Sequence, residues 1–245
     1  MRHLFVLVTV LVWSVSAVAE PPSRPFGTFE GAKAVARDAI YAGNRTTFYC
    51  ACAFEPTGRS GGKIDASACG YEPRKNPARG QRLEWEHVMP AWFFGHYRQC
   101  WKDGHPSCVS NEKPYKGRTC CAKADAEFAR IEADLHNLVP AVGELNGDRS
   151  NLPYGIVPGE KREYGRCDFE VGSTPRVAEP REAIRGDAAR VWLYMSETYR
   201  IPVSPAQHQM FLDWSRDDPV DAWERLRDER IEAAQGNRNP HVRPH

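Results

Sequence analysis

The chain has 245 residues, eight cysteines and a formal net charge of +1. A charge so close to zero excludes attraction of a polyanion by the surface as a whole, so a nucleic-acid site would have to be a local basic cleft. The length is enough to bury one sizeable core, and we see no repeat or low-complexity linker, so we expect a single domain.

The N terminus has the three parts of a secretory signal. Arg2 is followed by an apolar run at residues 4–13, and Ala17-Val18-Ala19 fits the small-x-small cleavage rule. The alternative is a membrane anchor, but the run is too short to span roughly 30 Å of hydrocarbon. We therefore predict a cleaved signal peptide at 1–19 and a periplasmic or secreted protein. Cleavage removes Arg2 and no acid, and leaves no net formal charge.

The remaining elements follow from apolar periodicity and from the positions of Gly and Pro. In chain order we predict a helix at 29–41, a strand at 46–54, loops at 55–62 and 76–81, a strand at 81–88, a helix at 92–101, a polar excursion at 102–119, a helix at 122–135, a strand at 137–139, and helices at 141–148, 181–199, 205–214 and 219–234. This order predicts an α+β fold, in which a small ββα unit is embedded in a single helix-rich domain at 20–245.

All eight cysteines lie between residues 50 and 167. An even count behind a secretion signal indicates a disulfide framework, although the sequence leaves the pairing open. Structural zinc is the alternative, but Cys50-x-Cys52 and the adjacent Cys120-Cys121 lack the spacing of zinc ligands. We expect cross-links to hold the polar excursion at 102–119, which has almost no apolar residues of its own.

The chemistry concentrates in three short segments. His87 ends the predicted strand at 81–88, Asn137 lies fifty residues later, and Asn146 follows nine residues beyond that. A metal-dependent ββα nuclease needs a histidine base at a strand end, an asparagine that pins the hairpin, and a metal ligand on the next helix. A neutral histidine with a pKa near 6.5 can deprotonate water at neutral pH, and a hard divalent cation can stabilise the leaving oxygen.

Glu86 and Asn146 are the candidate metal ligands, because Mg²⁺ accepts carboxylate and amide oxygens. Glu86 and His87 would point to opposite faces of a regular strand, so they can share a site only where the strand ends, as Pro90 suggests. The alternative for Asn146 is a helix C-cap beside Gly147. We interpret Glu84 as a solvated strand residue and His136 as buried. We expect Asn137 to bond backbone across the hairpin.

Three segments resemble the bacterial endonuclease I family, which comprises periplasmic or secreted nucleases of the ββα-metal (His-Me finger) superfamily. They read WEHVMPAW at 85–92, LHNLVP at 135–140 and GELNGDR at 143–149. The likeness continues at 48–50, 67–71, 228–231 and 235–240, and so covers nearly all of the chain after the signal peptide.

The resemblance implies Mg²⁺-dependent cleavage of double- and single-stranded DNA, and also of RNA, with little sequence preference and 5′-phosphate products. It implies that His87 is the base, that Glu86 and Asn146 bind one Mg²⁺ (with Mn²⁺ or Ca²⁺ as substitutes), and that Arg118 contacts the phosphate. The family's C-terminal cysteines are missing here, and Cys108 and Cys120 offer a substitute pair. We expect a monomer that does not associate with a membrane.

Two other functions were weighed. A secreted nucleic-acid-binding or uptake protein could keep this fold without catalysis, but the intact His87, Glu86 and Asn146 argue against it. The segment at 58–62 matches the G-x-S-x-G pattern of serine hydrolases. It lacks the buried strand before it and the helix after it that a nucleophile elbow needs.

Overall fold

The computed structural model describes residues 19–159 and 161–244. The predicted signal peptide lies outside the described residues, except for Ala19, which is buried. Within those ranges, no helix is long and apolar enough to cross a membrane.

The helices and strands of the described residues follow the α+β plan. The helices are α1 (Phe29–Val35, continued by a π-helical turn at Ala36–Ile40), α2 (Ala66–Cys69), α3 (Pro77–Gly80), α4 (Ala91–Gly95), α5 (Gln99–Lys102), α6 (Arg118–Ala124), α7 (Ala126–Glu132), α8 (Gly143–Arg149), α9 (Arg185–Tyr199), α10 (Pro205–Asp217) and α11 (Ala222–Gln235), with 3-10 turns at Leu135–Asn137 and Glu182–Ile184. The strands form antiparallel pairs: β1 (Ala53–Thr57) with β2 (Gly61–Asp65), β3 (Leu83–His87) with β6 (Leu138–Val142), β4 (Val109–Ser110) with β5 (Lys113–Pro114), and β7 (Phe169–Val171) with β8 (Ala178–Pro180).

The centre of the molecule is a ββα unit made of β3, β6 and α8. Leu83 pairs with Val142 and His87 with Leu138, and α8 begins directly after β6. All five residues of β6 are buried, so this strand is covered on both faces. The predicted α+β fold with a ββα unit is therefore confirmed.

Helices α9 and α10 cover the unit from behind. Trp192 of α9 stacks on Phe211 of α10 at 5.1 Å between ring centroids, and its indole nitrogen donates to the backbone oxygen of Val88 at 3.0 Å. The buried apolar side chains form one cluster that includes these residues and β6. The end of β3 is thus held against the main core.

All eight cysteines are paired, which confirms the disulfide framework and leaves no thiolate for zinc. The pairs are Cys50–Cys167, Cys52–Cys69, Cys100–Cys121 and Cys108–Cys120. The substitute pair offered for Cys108 and Cys120 is therefore present. Together with Cys100–Cys121 it closes the excursion at 102–119 onto α5 and α6, as expected for a segment with few apolar residues.

The predicted strand at 46–54 and loop at 55–62 are wrong. Residues 48–50 form a turn, and the chain enters a strand only at Ala53. Tyr49 and Cys50 are both buried although they are neighbours, which a strand with one covered face does not allow. The Gly/Ser-rich segment is the turn of the β1–β2 hairpin, where Gly58 takes a positive φ of 56°.

Three more predicted segments are divided or reassigned, and β6 runs to Val142, beyond the predicted strand at 137–139 and into the helix predicted at 141–148. The loop at 76–81 contains the short helix α3, and the helix at 92–101 is divided into α4 and α5. The helix at 122–135 is divided at Asp125, whose extended backbone ends α6 and whose side chain accepts from the Phe128 amide at 2.9 Å to cap α7. A side chain that competes for the first amides of a helix favours such a break.

Candidate active site

The end of β3, the start of α6 and the middle of α8 meet at a small cavity of about 80 Å³. Its lining includes all four residues to which the sequence analysis gave catalytic or metal-binding roles, Glu86, His87, Arg118 and Asn146. Because β3 ends at His87, side chains from both of its faces can reach the same cavity.

His87 is held in one tautomer. It is 5% exposed, and its Nε2 lies 2.8 Å from the backbone oxygen of Glu132. A carbonyl oxygen only accepts, so a neutral ring must carry its proton on Nε2 and leave Nδ1 as the basic nitrogen. The ring of Phe29 stacks on the imidazole at 4.8 Å.

The pKa of His87 differs from the expectation of about 6.5. Burial, and then the positive charge of Arg118, lower its pKa well below the ordinary value for histidine. Because the neutral form is favoured, His87 can accept a proton at pH 7 and at mildly acidic pH as well.

Glu86 is also buried, at 3% exposure. Its Oε1 accepts from the Tyr49 hydroxyl at 3.1 Å and from Arg149 at 2.8 Å. Among residues 19–159 and 161–244 no donor bonds its Oε2. Burial raises the pKa of Glu86 to about 7, against the opposing positive charge of Arg149. A cation at this carboxylate would favour the ionised form.

Asn146 lies inside α8, which continues to Arg149 and is capped at Ser150, so the alternative of a C-cap at Asn146 is excluded. Its Nδ2 donates to Glu84 Oε2 at 3.0 Å. No donor within the described part of the chain bonds its Oδ1.

Arg118 is the first residue of α6, and its side chain is 43% exposed. Its Nε donates to the Glu132 carboxylate at 2.5 Å, and its Nη2 lies 3.4 Å from His87 Nδ1. Glu132 therefore binds both residues, the histidine through its backbone and the arginine through its side chain. The guanidinium also lies over the Phe29 ring at 5.0 Å.

Asn137 directly precedes β6, the partner strand of β3, and is fully buried. Its Oδ1 accepts from the Met89 amide at 2.7 Å, and its Nδ2 donates to the Met89 oxygen at 3.0 Å. These bonds join the segment after β3 to the start of β6. His136 is buried as well.

Several residues of the site were missed in the sequence analysis. Arg149 is fully buried and donates to Glu86, to the His87 oxygen at 2.8 Å and to the Val88 oxygen. Tyr49 and Phe29 come from distant parts of the chain. The only available signal was the position of Arg149 at the end of GELNGDR.

The small cavity opens beside a larger cleft of about 860 Å³. Basic and aromatic side chains line it, among them Lys33, Arg79, Arg118, Trp92 and Trp101. Trp92 is 37% exposed and stacks on His96 with ring centroids 3.8 Å apart. This is the kind of local basic cleft that a nearly neutral nucleic-acid-binding protein would need.

The donor set was tested against a metal ion. Within the described ranges, no cluster of three or more His, Cys, Asp or Glu is placed to hold one. Glu86 and Asn146 both line the cavity, and no donor among the described residues bonds Glu86 Oε2 or Asn146 Oδ1. Mg²⁺ keeps several waters and takes one or two protein oxygens, so this sparse set fits Mg²⁺ and does not fit structural zinc.

Comparison with known proteins places this geometry in a family. The chain is 42% identical over 204 residues to an extracellular deoxyribonuclease of Aeromonas hydrophila, which covers 83% of each chain. It is 41% identical to a periplasmic deoxyribonuclease of the same organism (86% of this chain, 84% of the relative) and 41% identical to endonuclease-1 of Buchnera aphidicola subsp. Acyrthosiphon pisum (81% and 74%). The model of the Endonuclease I family matches residues 30–245, and the chain therefore belongs to that family.

Proposed function

We propose that this protein is a secreted or periplasmic endonuclease that hydrolyses phosphodiester bonds of DNA, and also of RNA, with Mg²⁺. Membership of the endonuclease I family supports a nuclease, and the names of the extracellular and periplasmic relatives support export. The observation that carries the proposal is the small cavity, which is lined by His87, Arg118, Glu86 and Asn146. Among the described residues, no donor bonds Glu86 Oε2 or Asn146 Oδ1.

His87 is the general base in this proposal. Its Nδ1 removes a proton from the attacking water, while Nε2–H stays bonded to the Glu132 oxygen. That bond fixes the tautomer and the ring orientation, and it supports the imidazolium that forms. Phe29 restrains the ring by stacking on it.

Arg118 binds the scissile phosphate. Its guanidinium is partly exposed and lies beside His87 Nδ1, so a phosphate held there has the base next to it. Glu86 and Asn146 would hold the ion. When bound, Mg²⁺ supplies positive charge that stabilises the leaving 3′-oxygen, which leaves the phosphate on the 5′ end. Arg149 and Tyr49 hold Glu86 through Oε1, so that its other oxygen is available.

The surrounding organisation is part of the proposal. Residues 1–19 would be removed on export, and residues 20–245 would act as one monomeric nuclease domain. Asn137 would stabilise the hairpin that presents His87, without contact with substrate. Substrates would include double- and single-stranded DNA as well as RNA, since a contact of Arg118 with the phosphate does not depend on the identity of the base.

Incubation of supercoiled plasmid with the purified, oxidised protein tests this function. We expect nicked and then fragmented DNA with Mg²⁺ and intact plasmid with EDTA. Ligation of the fragments without prior phosphorylation would demonstrate 5′-phosphate ends. Binding of DNA without cleavage in Mg²⁺, Mn²⁺ or Ca²⁺ would instead support the inactive binding or uptake protein.

A further inference from the structure

We propose that Glu84 is a positioning residue: together with Arg79 it turns the Asn146 amide so that its oxygen is presented to the metal ion. This inference rests on the proposed function, in which Asn146 is a ligand. Glu84 was expected to be a solvated strand residue, but its side chain is only 24% exposed and contacts α8. That expectation was wrong, because the start of α8 packs over β3.

The orientation of the Asn146 amide decides whether this side chain can bind a cation. Asn146 has one oxygen and one NH₂ group of nearly equal size, and only the oxygen can bind a cation. Its Nδ2 donates to Glu84 Oε2 at 3.0 Å. An ionised carboxylate only accepts hydrogen bonds, so Glu84 selects the NH₂ group and leaves Oδ1 on the other side. Without Glu84 the amide could turn, and its NH₂ group would then oppose the ion.

Arg79 holds Glu84 in place with a bidentate pair. Its Nε donates to Oε1 at 2.9 Å and its Nη2 to Oε2 at 2.7 Å. Both carboxylate oxygens are thus directed at Arg79, and Glu84 lines the larger cleft and not the small cavity, so we assign it no ligand role. Arg82 also approaches Glu84, at 3.6 Å, but its side chain is 64% exposed. A surface pair of that kind contributes little.

Gly147, which follows Asn146 in α8, gives further support. A Cβ on Gly147 would lie 2.0 Å from Arg79 Nη1, so a side chain there would displace the guanidinium that pairs with Glu84. Glycine disfavours a helix interior, and the close approach of Arg79 accounts for a glycine at this position. At Gly143, the first residue of α8, the Arg79 backbone oxygen at 2.7 Å already excludes a Cβ, so that glycine does not depend on the Arg79–Glu84 pair.

Direct metal titration tests the inference, with Mn²⁺ followed by electron paramagnetic resonance and Mg²⁺ by calorimetry on the full, oxidised protein. Glu84→Leu keeps the bulk but removes the acceptor, and we expect metal affinity to fall roughly tenfold, at the low end for an outer-shell partner. Glu84→Gln keeps one acceptor oxygen and should lose less. Arg82→Ala is the matched control and should bind as the wild type does.

A double-mutant cycle separates positioning from a general structural effect. In an Asn146→Ala background, Glu84→Leu should change metal affinity by less than about twofold, because the residue through which it acts is gone. An equal loss in both backgrounds would overturn the inference. If Glu84→Leu does not fold, Gly147→Ala, which displaces the Arg79 guanidinium, should weaken Mn²⁺ binding, and wild-type affinity in that variant would overturn it.

The outcomes also separate this inference from the proposed function. A wild-type protein that binds no Mn²⁺ overturns the metal site and the inference together. A wild-type protein that binds Mn²⁺ and cleaves DNA, beside a folded Glu84→Leu variant of unchanged affinity, overturns the inference alone.

Discussion

The ββα unit and the excursion at 102–119 deliver side chains to the same cavity by different means. His87, Glu86 and Asn146 lie on elements that are paired and packed, and every residue of β6 is buried. Arg118 follows a segment whose two short strands, β4 and β5, are exposed at all four positions. Two disulfides, Cys100–Cys121 and Cys108–Cys120, attach that segment to its neighbours.

This difference indicates which interactions keep each side chain of the site in position. Packing and strand pairing hold His87 and the proposed ligands, whereas Arg118, for which we propose a phosphate contact, depends on the two disulfides together with its ion pair to Glu132. A disulfide that closes such a segment contributes typically about 2–4 kcal/mol. Catalytic geometry tolerates only about 1 Å of misplacement. We therefore expect that a change in one region can impair cleavage without disturbing the structure of the other region.

The largest effect is expected within the packed region. His87→Ala should lower the rate of cleavage about 10²–10⁴-fold, because it removes the proposed general base. Affinity for DNA and for Mn²⁺ should stay near wild type, since the cleft and the proposed ligands remain. Single-turnover cleavage measures the rate, fluorescence anisotropy the affinity for DNA, and electron paramagnetic resonance the affinity for Mn²⁺. His241→Ala, at a partly buried histidine that lines neither the cavity nor the cleft, is the matched control. Near wild-type turnover in His87→Ala would refute this role.

The second-largest effect is expected in the cross-linked region. Cys100→Ser with Cys121→Ser should lower cleavage roughly tenfold to a hundredfold, because α6 loses its link to α5 and Arg118 is then held less firmly beside His87. Mn²⁺ affinity should change little, which would separate the two regions directly. The control pair, Cys52→Ser with Cys69→Ser, removes a disulfide between other elements and should lower thermal stability more than cleavage at low temperature. Dithiothreitol with mild denaturant should abolish activity, and reoxidation should restore it.

The pH profile distinguishes the two buried titrating groups. Glu86, with a pKa of about 7, must be ionised to bind the metal, so Mg²⁺ affinity should fall as pH drops below 7. A tenfold rise in Mg²⁺ should move this acid limb down by up to about one pH unit, since the metal competes with one proton. His87 protonates only well below pH 6.5 and sets the limit at saturating Mg²⁺. An acid limb at pH 6.5 that does not move with Mg²⁺ concentration would contradict the assignments of both Glu86 and His87.

The smallest effect is expected for Arg118→Ala in equilibrium binding. Removal of one phosphate contact should weaken binding to all sequences alike and flatten the slope of log K against log salt by about one unit. The acid limb at saturating Mg²⁺ should also move to higher pH, because the positive charge that lowers the pKa of His87 is gone. A loss confined to particular sequences would mean that Arg118 contacts a base edge.

The ββα unit could be predicted because its signals are local. The alternation that ends at His87, the short distance from Asn137 to Asn146 and the apolar face of α8 all lie within a few residues of the groups that they position. The parity of the cysteines behind a signal peptide likewise indicated disulfides. The prediction of a strand at 46–54 was wrong for the opposite reason. The composition of this segment favours a strand, but the burial of both Tyr49 and Cys50 depends on partners far along the chain.

The sequence alone predicted which residues carry the chemistry, since the proposed base and the two proposed ligands follow from residue type and spacing in three short segments. The contacts that orient these side chains became visible only in the folded structure. The Glu132 oxygen selects the tautomer of His87, Tyr49 and Arg149 occupy one oxygen of Glu86, and Glu84 turns the amide of Asn146. All of these contacts join residues that are 37 to 63 positions apart in the chain. Contacts at such separations leave no periodic pattern, because they depend on how whole elements pack and not on the order of neighbouring residues.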